Sequence, residues 1–339
     1  MIAVPDLVAR ARALADDLLF PAAAEVDRRG AVPRSHFDAL AAEGLYGLAA
    51  PPGVGGAGVG MDGIILVLEA ITGGCLSTGF TWLQHHGLVA GLSGSDRADV
   101  RERYLPDLVS GVLRGGSAYA GVIPTPPRVR ARRVNGGYRF DGDAPFVSGW
   151  GGIDLLQLSG REDDTVVNAV VDAVEGDGLA ATPLELNAAQ ATATVRLALT
   201  DYFVPDERVF ATVDHAQFVG ANTIGSRFNG CAPLGHAERC ARLIEEAGQP
   251  DTASALRAEQ NEIRKRLDAG LADPASLPSA RAAGADLAYR SAGALAAATG
   301  SRAVLAGEHA GRLVREATFL LVAASRPEIK DGLLALARR

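Results

Sequence analysis

The spacing of apolar residues changes twice along this chain of 339 residues. Up to Gly115, apolar residues recur every three or four positions, which predicts amphipathic helices. Beyond Gly115 they fall in short β-branched or alternating runs between turn residues, which predict strands, and from Asp214 the helical spacing returns. The sequence therefore predicts an α+β fold of three parts: an N-terminal helical domain (1–115), a middle β-barrel or sandwich domain (116–212) and a C-terminal four-helix bundle (213–339).

Composition argues against several kinds of partner. The formal net charge of −7 disfavours nucleic acid, which needs a basic surface to displace counterions. No apolar run approaches the roughly 20 residues of a membrane span, and the N-terminus lacks the basic start and apolar block of a signal peptide. The three cysteines have no metal-ligand spacing, which predicts neither disulfides nor a zinc site. We therefore expect a cytoplasmic protein without nucleic-acid or membrane partners.

One glycine-rich segment has the spacing of a dinucleotide-binding loop. Gly53, Gly55 and Gly58 match that fingerprint. They follow Pro51-Pro52 rather than a predicted strand, however, and no strand–helix–strand unit surrounds them. The segment is better interpreted as a turn-rich loop between two helices.

The stretch from Gly307 to Ile329 carries the most specific phrase of the chain. Leu313, Ala317, Leu321 and Ala324 lie at helical spacing, which predicts a helix that Pro327 ends. Within it, the run Gly-Arg-Leu-Val-Arg-Glu-Ala resembles the Arg-Asp-Ala segment of the acyl-CoA dehydrogenase family. Further phrases resemble the same family in the same order: Gly44–Leu48, Tyr104–Gly111, Gly137–Asp154, Val204–Pro205 and Pro233–Gly235. The resemblance implies an acyl-CoA dehydrogenase-like fold.

The resemblance also implies a cofactor and a reaction. Members of the family bind FAD and dehydrogenate an acyl-CoA thioester across its α and β carbons. Phe146 falls on the tryptophan that covers the flavin ring, and Ser148 falls on a threonine that bonds near its N5 atom. Trp150 could stack on the ring instead or simply pack, and Ser148 could equally be a strand-end turn residue. Gly300 and Arg302 stand where the family has a glycine-rich phosphate contact.

Other flavin contacts of the family are eroded here. Val122 replaces a residue whose hydroxyl meets the flavin, and the segment that supplies an arginine to the flavin pyrophosphate of a neighbouring subunit is missing. Arg257 or Arg264 could replace that arginine, although exposed helical arginines usually only solvate a face. FAD binding is therefore expected to be weak or shared with a partner subunit.

The catalytic base is the sharpest departure from the family. Counting from Arg315, the family's glutamate falls on Ala324, which cannot accept a proton, so the catalytic residue is unknown. A second location known in the family falls on Gly225 and Ser226, which also lack a carboxyl group. Ala324 and Arg227 are still expected to line the substrate pocket.

Two carboxylates lie near the expected base. Glu316 takes the place of an aspartate that follows Arg315, which predicts a structural ion pair. Glu328 lies beyond Pro327 and is expected to be too far along the chain.

Two adjacent histidines, His85 and His86, lie on a predicted helix. Neighbouring helical side chains point about 100° apart, which argues against a metal pair. The simpler interpretation is one packed and one solvated imidazole. In the alternative, one of them reaches a flavin and substrate pocket, as in flavin monooxygenases of this fold.

Three functions remain open at this point. The chain could be a dehydrogenase with a base from another position or a partner chain. It could be the poorly catalytic subunit of a heteromer with a related, glutamate-bearing chain. It could also be a flavin monooxygenase or a ligand-binding relative. The resemblance implies a homodimer, a tetramer or a heteromer in each case.

Overall fold

The computed structural model describes residues 4–324 and 326–338, and its first part is helical. A π-helical turn over Ala15–Leu19 joins the first two helices, and the glycine-rich segment forms a 3-10 turn over Pro52–Val54. Residues 4–51 contain no strand before that turn, which confirms its interpretation as a loop. The helices of this part are α1 (Val4–Leu14), α2 (Phe20–Arg29), α3 (Arg34–Ala42), α4 (Met61–Gly74), α5 (Leu76–Ser93) and α6 (Ala98–Ser110).

The middle part is one curved sheet with mixed strand directions. Its strands are β1 (Gly115–Ala118), β2 (Val129–Val134), β3 (Gly137–Val147), β4 (Leu155–Glu162), β5 (Thr165–Asp172), β6 (Leu179–Pro183), β7 (Val195–Pro205) and β8 (Val209–Asp214). They follow the order β6-β7-β3-β2-β4-β5-β8, and β1 pairs in parallel with β4. Alternate residues such as Phe140, Leu158 and Leu197 bury one face, because successive side chains of a strand point to opposite sides.

The last part is a helical bundle. Helix α10 lies at its centre and packs against α8, α9, α11 and α12. Its helices are α7 (His215–Asn229), α8 (Cys231–Glu246), α9 (Pro250–Ala269), α10 (Leu277–Thr299), α11 (His309–Val322) and α12 (Pro327–Leu336). Helical, β and helical parts thus follow one another as the change of spacing predicts.

The prediction that one helix continues to Pro327 was wrong. Helix α11 ends at Val322, Ala323 is extended and Ala324 has a φ of 51°. This left-handed backbone turns the chain away from the helix axis, so Ala324 does not belong to the apolar face of α11.

Two glycines bring α4 and α8 into main-chain contact. A Cβ atom at Gly73 would lie 2.6 Å from the carbonyl oxygen of Gly235, and one at Gly235 would overlap the carbonyl oxygen of Glu69. Only glycine permits so close an approach of two backbones. This crossing holds the N-terminal domain against the bundle.

Candidate functional site

Ala324 lies in the wall of a small cavity at the end of α11. The cavity measures about 10 Å³, which is room for about one water molecule. It lies between α5, α8, α10, the end of α7 and the end of α11, and no carboxylate is among the lining residues that the structure describes. The lining residues are Phe80, Leu83, Asn229, Ala232, Arg281, Leu320, Ala323 and Ala324. The position where the family carries its base therefore offers neither a proton acceptor nor room for an acyl chain.

Arg281 is the residue of this site that sequence reasoning missed. Its side chain is 2% exposed, and Nη2 donates to the carbonyl oxygens of Leu320 (3.2 Å) and Ala323 (3.3 Å). Burial lowers the pKa of the guanidinium to about 10. The guanidinium caps the carboxyl end of α11, where the last carbonyl groups have no helical partner.

The second location for the base falls on Gly225 and Ser226 of α7, of which Gly225 is half-buried and Ser226 is buried. Neither brings a carboxylate to the cavity. Arg227 is fully buried, and its Nε donates to Asp268 Oδ1 at 2.7 Å. Arg227 is thus engaged with α9, and it does not line the cavity at Ala324.

Glu316 forms a structural ion pair, and its partner is Arg312. Arg315 pairs with Asp27 of α2. Burial raises the pKa of Glu316, while the Arg312 guanidinium opposes that rise. Glu328 is exposed in the first turn of α12, so it too stays away from the cavity.

Phe146 and Ser148 lie on opposite sides of a bulge in β3. The pairing of β3 with β7 shifts between Ala144 and Val147, and the residue turned out by this shift is Phe146. Phe146 has a φ of 53° and is 70% exposed. A non-glycine residue in this conformation is strained, and such residues cluster at functional sites. The bulge thus presents an aromatic plane on the surface of the β domain.

Ser148 points the other way, into the domain. It is buried, its Oγ lies 2.8 Å from Thr194 Oγ1, and that hydroxyl lies 2.8 Å from Thr192 Oγ1. Trp150 is half-buried and packs against the core of the sheet. The hydroxyl of Ser148 is already shared with another side chain, and Trp150 packs rather than presenting its plane.

The loop after β1 folds back on the sheet. Val122 is fully buried, and Arg161 of β4 donates to Pro124 O and Thr125 Oγ1, each at 3.2 Å. Nη1 of Arg161 also lies 3.1 Å from His215 Nε2. This loop is therefore held by the protein itself.

Gly300 and Arg302 lie at the far end of α10. Gly300 has a φ of 70°, and a Cβ atom there would meet nothing within 4 Å. Arg302 is exposed and lies 2.7 Å from Glu308. At a rise of about 1.5 Å per residue, Gly300 lies about 28 Å along the helix from Arg281. Within one chain the two ends cannot contribute to the same small pocket.

Arg257 and Arg264 are both engaged in ion pairs. Arg257 lies 2.8 Å from Glu245, and Arg264 lies 2.7 Å from buried Glu69. They line a polar pocket of about 330 Å³ between α4, α8 and α9. Neither arginine is left free to replace the missing pyrophosphate contact.

Both histidines of α5 are buried, so the prediction of one solvated imidazole was wrong. Nδ1 of His85 accepts the N–H of Gly115 at 3.0 Å, so Nε2 donates to Tyr46 O at 3.2 Å. Burial lowers the pKa of His85 to about 3. His85 is the packed histidine that the sequence predicts.

His86 lies edge-on to Trp82, with ring centroids 4.6 Å apart. Neither of its ring nitrogens has a hydrogen-bond partner in the part of the chain that the structure describes. Burial places its pKa well below the usual range, so the ring is neutral.

Comparisons with known proteins agree with this architecture. Residues 5–112 match the model of the acyl-CoA dehydrogenase N-terminal domain. The mitochondrial 2-methylacyl-CoA dehydrogenase of Solanum tuberosum is 23% identical over 93% of this chain and 85% of its own length.

Two solved structures share the fold along almost the whole chain. The glutaryl-CoA dehydrogenase–glutaryl-CoA complex superposes with a TM-score of 0.87 at 16% identity, covering 100% of this chain and 96% of the other. Glutaryl-CoA dehydrogenase of Mycobacterium smegmatis with FADH2 gives 0.86 at 14% identity, covering 99% and 95%. Residues 5–112 thus match the N-terminal domain of acyl-CoA dehydrogenases, and the chain as a whole has the acyl-CoA dehydrogenase fold. No helix of the described ranges is long and apolar enough to cross a membrane.

Proposed function

We propose that this chain is one subunit of a heteromeric, FAD-dependent acyl-CoA dehydrogenase whose related partner supplies the catalytic carboxylate. The observation that carries the proposal is the end of α11. There Ala324 replaces the base, and its cavity of about 10 Å³ leaves no room for an acyl chain. Dehydrogenation removes a proton from the α carbon, and this step needs a carboxylate or another base within hydrogen-bond reach.

The flavin contacts support the same division of labour. Phe146 offers an exposed aromatic plane, and Gly300 leaves its backbone open to approach. Ser148, Arg257 and Arg264 are engaged by other side chains. The described residues therefore do not fit a complete FAD on their own, and the remaining contacts are assigned to the partner. In this heteromer the chain contributes part of the flavin contacts, and the partner contributes the proton acceptor.

A flavin monooxygenase is the second candidate, and His86 favours it. A buried neutral imidazole with two unpartnered nitrogens is costly unless something bonds to it. Oxygenation of a substrate requires no carboxylate to remove an α proton, so an alanine at position 324 would be compatible with this reaction. The edge-on packing of His86 against Trp82 supports a structural role for this ring, however, and a structural His86 favours the heteromer.

Expression of the chain alone and with a glutamate-bearing relative tests the proposal. We expect the chain alone to purify with far less than one flavin per chain. The co-expressed complex should bind flavin, and acyl-CoA should bleach its absorbance band under anaerobic conditions. Glutamate→glutamine in the partner should abolish the bleaching and leave the complex assembled.

Two outcomes would contradict the heteromer. One is stoichiometric flavin in the isolated chain that acyl-CoA reduces. The other is oxygen consumption by the isolated chain that depends on an added flavin reductase, which would establish the monooxygenase.

A further inference from the structure

Arg281 is a buried cation without a carboxylate partner. It lies in the run Ala280–Ala283 of α10, where the side chains are small and buried, so its guanidinium is surrounded by protein. It forms no ion pair with any aspartate or glutamate of residues 4–324 and 326–338. Moving an unpaired charge from water into such surroundings costs several kcal/mol or more.

The carbonyl groups at the end of α11 offset only part of this cost. Nη2 bonds to Leu320 O and Ala323 O, whose partial negative charge belongs to the carboxyl end of the helix. Nε and Nη1 are buried and have no acceptor in the described part of the chain. A buried donor of this kind is costly unless a water molecule or an ion accepts its hydrogen.

The cavity beside Arg281 has the size and lining for a small anion. Its volume of about 10 Å³ suits one particle of about the size of a water molecule and is too small for a large organic anion such as gluconate. Asn229 is the other polar side chain in the lining.

We propose that this cavity binds a halide-sized monovalent anion, with chloride as the natural candidate, against Nε and Nη1 of Arg281. The anion lies in the cavity that Ala324 and Arg281 both line, and it neutralises the Arg281 cation. The site stabilises the end of α11, and it does not depend on the proposed heteromer.

The test compares sodium chloride, sodium bromide and sodium gluconate at equal ionic strength. We expect chloride and bromide to raise the melting temperature by a few degrees in a saturable manner, because a ligand that binds only the folded state stabilises it. Gluconate should not raise it. Bromide-soaked crystals should show an anomalous scattering peak beside Nε and Nη1 of Arg281.

Variants locate the effect. Arg281→Met should lose the halide response, while Arg290→Met, which removes an exposed arginine of the same helix, should keep it. Ala324→Glu retains Arg281 and places a carboxylate at the cavity wall, so it should also lose the response. This second variant decides the question if Arg281→Met does not fold.

Three results would overturn the proposal: equal melting curves of the wild type in chloride and gluconate, a full halide response in Ala324→Glu, or no anomalous peak at saturating bromide.

Discussion

Arg312 and Glu316 form an ion pair inside the protein, one turn apart on α11. Nη1 of Arg312 lies 2.5 Å from Glu316 Oε1, and the two side chains are 3% and 5% exposed. Nη2 of Arg312 also donates to His309 Nδ1 at 3.1 Å. The pair joins α11 to the N-terminal domain, because Arg312 also lies over the ring of Phe20.

Removing one member of this pair should be far worse than removing both. Glu316→Ala leaves a buried cation unpaired, and we expect it to lower the free energy of unfolding by about 3–5 kcal/mol. The double variant Arg312→Met with Glu316→Met should lose much less, because two apolar side chains replace two desolvated charges. Urea unfolding measures both.

The exposed pair between Arg302 and Glu308 provides the control. Glu308→Ala should change the free energy of unfolding by less than about 1 kcal/mol, since exposed pairs contribute little. Equal losses in the free energy of unfolding for Glu316→Ala and Glu308→Ala would contradict the prediction that burial makes the Arg312–Glu316 pair costly to break.

The crossing of α4 and α8 predicts opposite effects of two glycine substitutions. Gly235→Ala forces a methyl group into the Glu69 carbonyl, so we expect a loss of about 3 kcal/mol or more. At Gly293 of α10 a methyl group meets nothing within 4 Å, and alanine should stabilise the helix by up to about 1 kcal/mol. If Gly235→Ala leaves the free energy of unfolding in urea unchanged, α4 and α8 can move apart without cost, which would contradict this prediction.

Phe146 should matter for flavin and not for folding. Phe146→Ala should leave the melting temperature nearly unchanged, because the side chain is 70% exposed. In the complex with its partner, loss of ring stacking worth about 1.4 kcal/mol would weaken flavin binding roughly tenfold. Phe203→Ala, on another exposed aromatic, is the matched control for flavin titrations. Equal flavin affinity in the two variants would exclude Phe146 from the site.

Buried histidines should make the protein sensitive to mild acid. Burial lowers the pKa of His85 to about 3 and that of His236 to about 4, from an ordinary value of 6.5. Below pH 6.5 the unfolded chain therefore binds more protons than the folded one. The stabilising effect is complete above pH 6.5 and is lost as pH falls towards 4, by up to about 1.4 kcal/mol per pH unit for each histidine.

The variant His236→Gln isolates one of these contributions. Its amide can still donate to Leu313 O, the acceptor that lies 2.9 Å from Nε2 of the histidine. Urea unfolding at pH 8 measures the cost of the substitution itself. Between pH 6.5 and 4.5 the variant should lose stability less steeply than the wild type, and an unchanged slope would contradict the assignment.

Much of the architecture was predictable, because spacing of apolar residues records which face of each element is buried. The order of helices and strands follows from that spacing alone. The end of α11 was not predictable, since alanine fits a helix and a left-handed turn at Ala324 leaves no mark in the sequence. The burial of His86 was also not predictable. The angle of about 100° between neighbouring helical side chains shows that they point in different directions, but it does not show what packs against each of them.

Arg281 shows a further limit of sequence reasoning. An arginine in an alanine-rich helix is normally interpreted as a solvated residue, yet the side chain of Arg281 is buried. The sequence signal that could have indicated burial is the run of small residues on both sides of Arg281. Ala280 and residues 282–285 are all small, and all are buried. Ser148 was left between two roles, and its bond to Thr194 now supports the structural one. Its role toward flavin stays a prediction.

The contact between Gly73 and Gly235 fixes α8 against α4, and α8 forms one wall of the Ala324 cavity through Ala232. Helices that meet main chain to main chain cannot slide apart without losing their fit, so α4 and α8 should stay closed on the timescale of exchange. Helix α7 buries only Ser226 and Arg227. Amide hydrogens of α7 should therefore exchange with deuterium long before those of α4, and entry to the cavity should follow the breathing of α7.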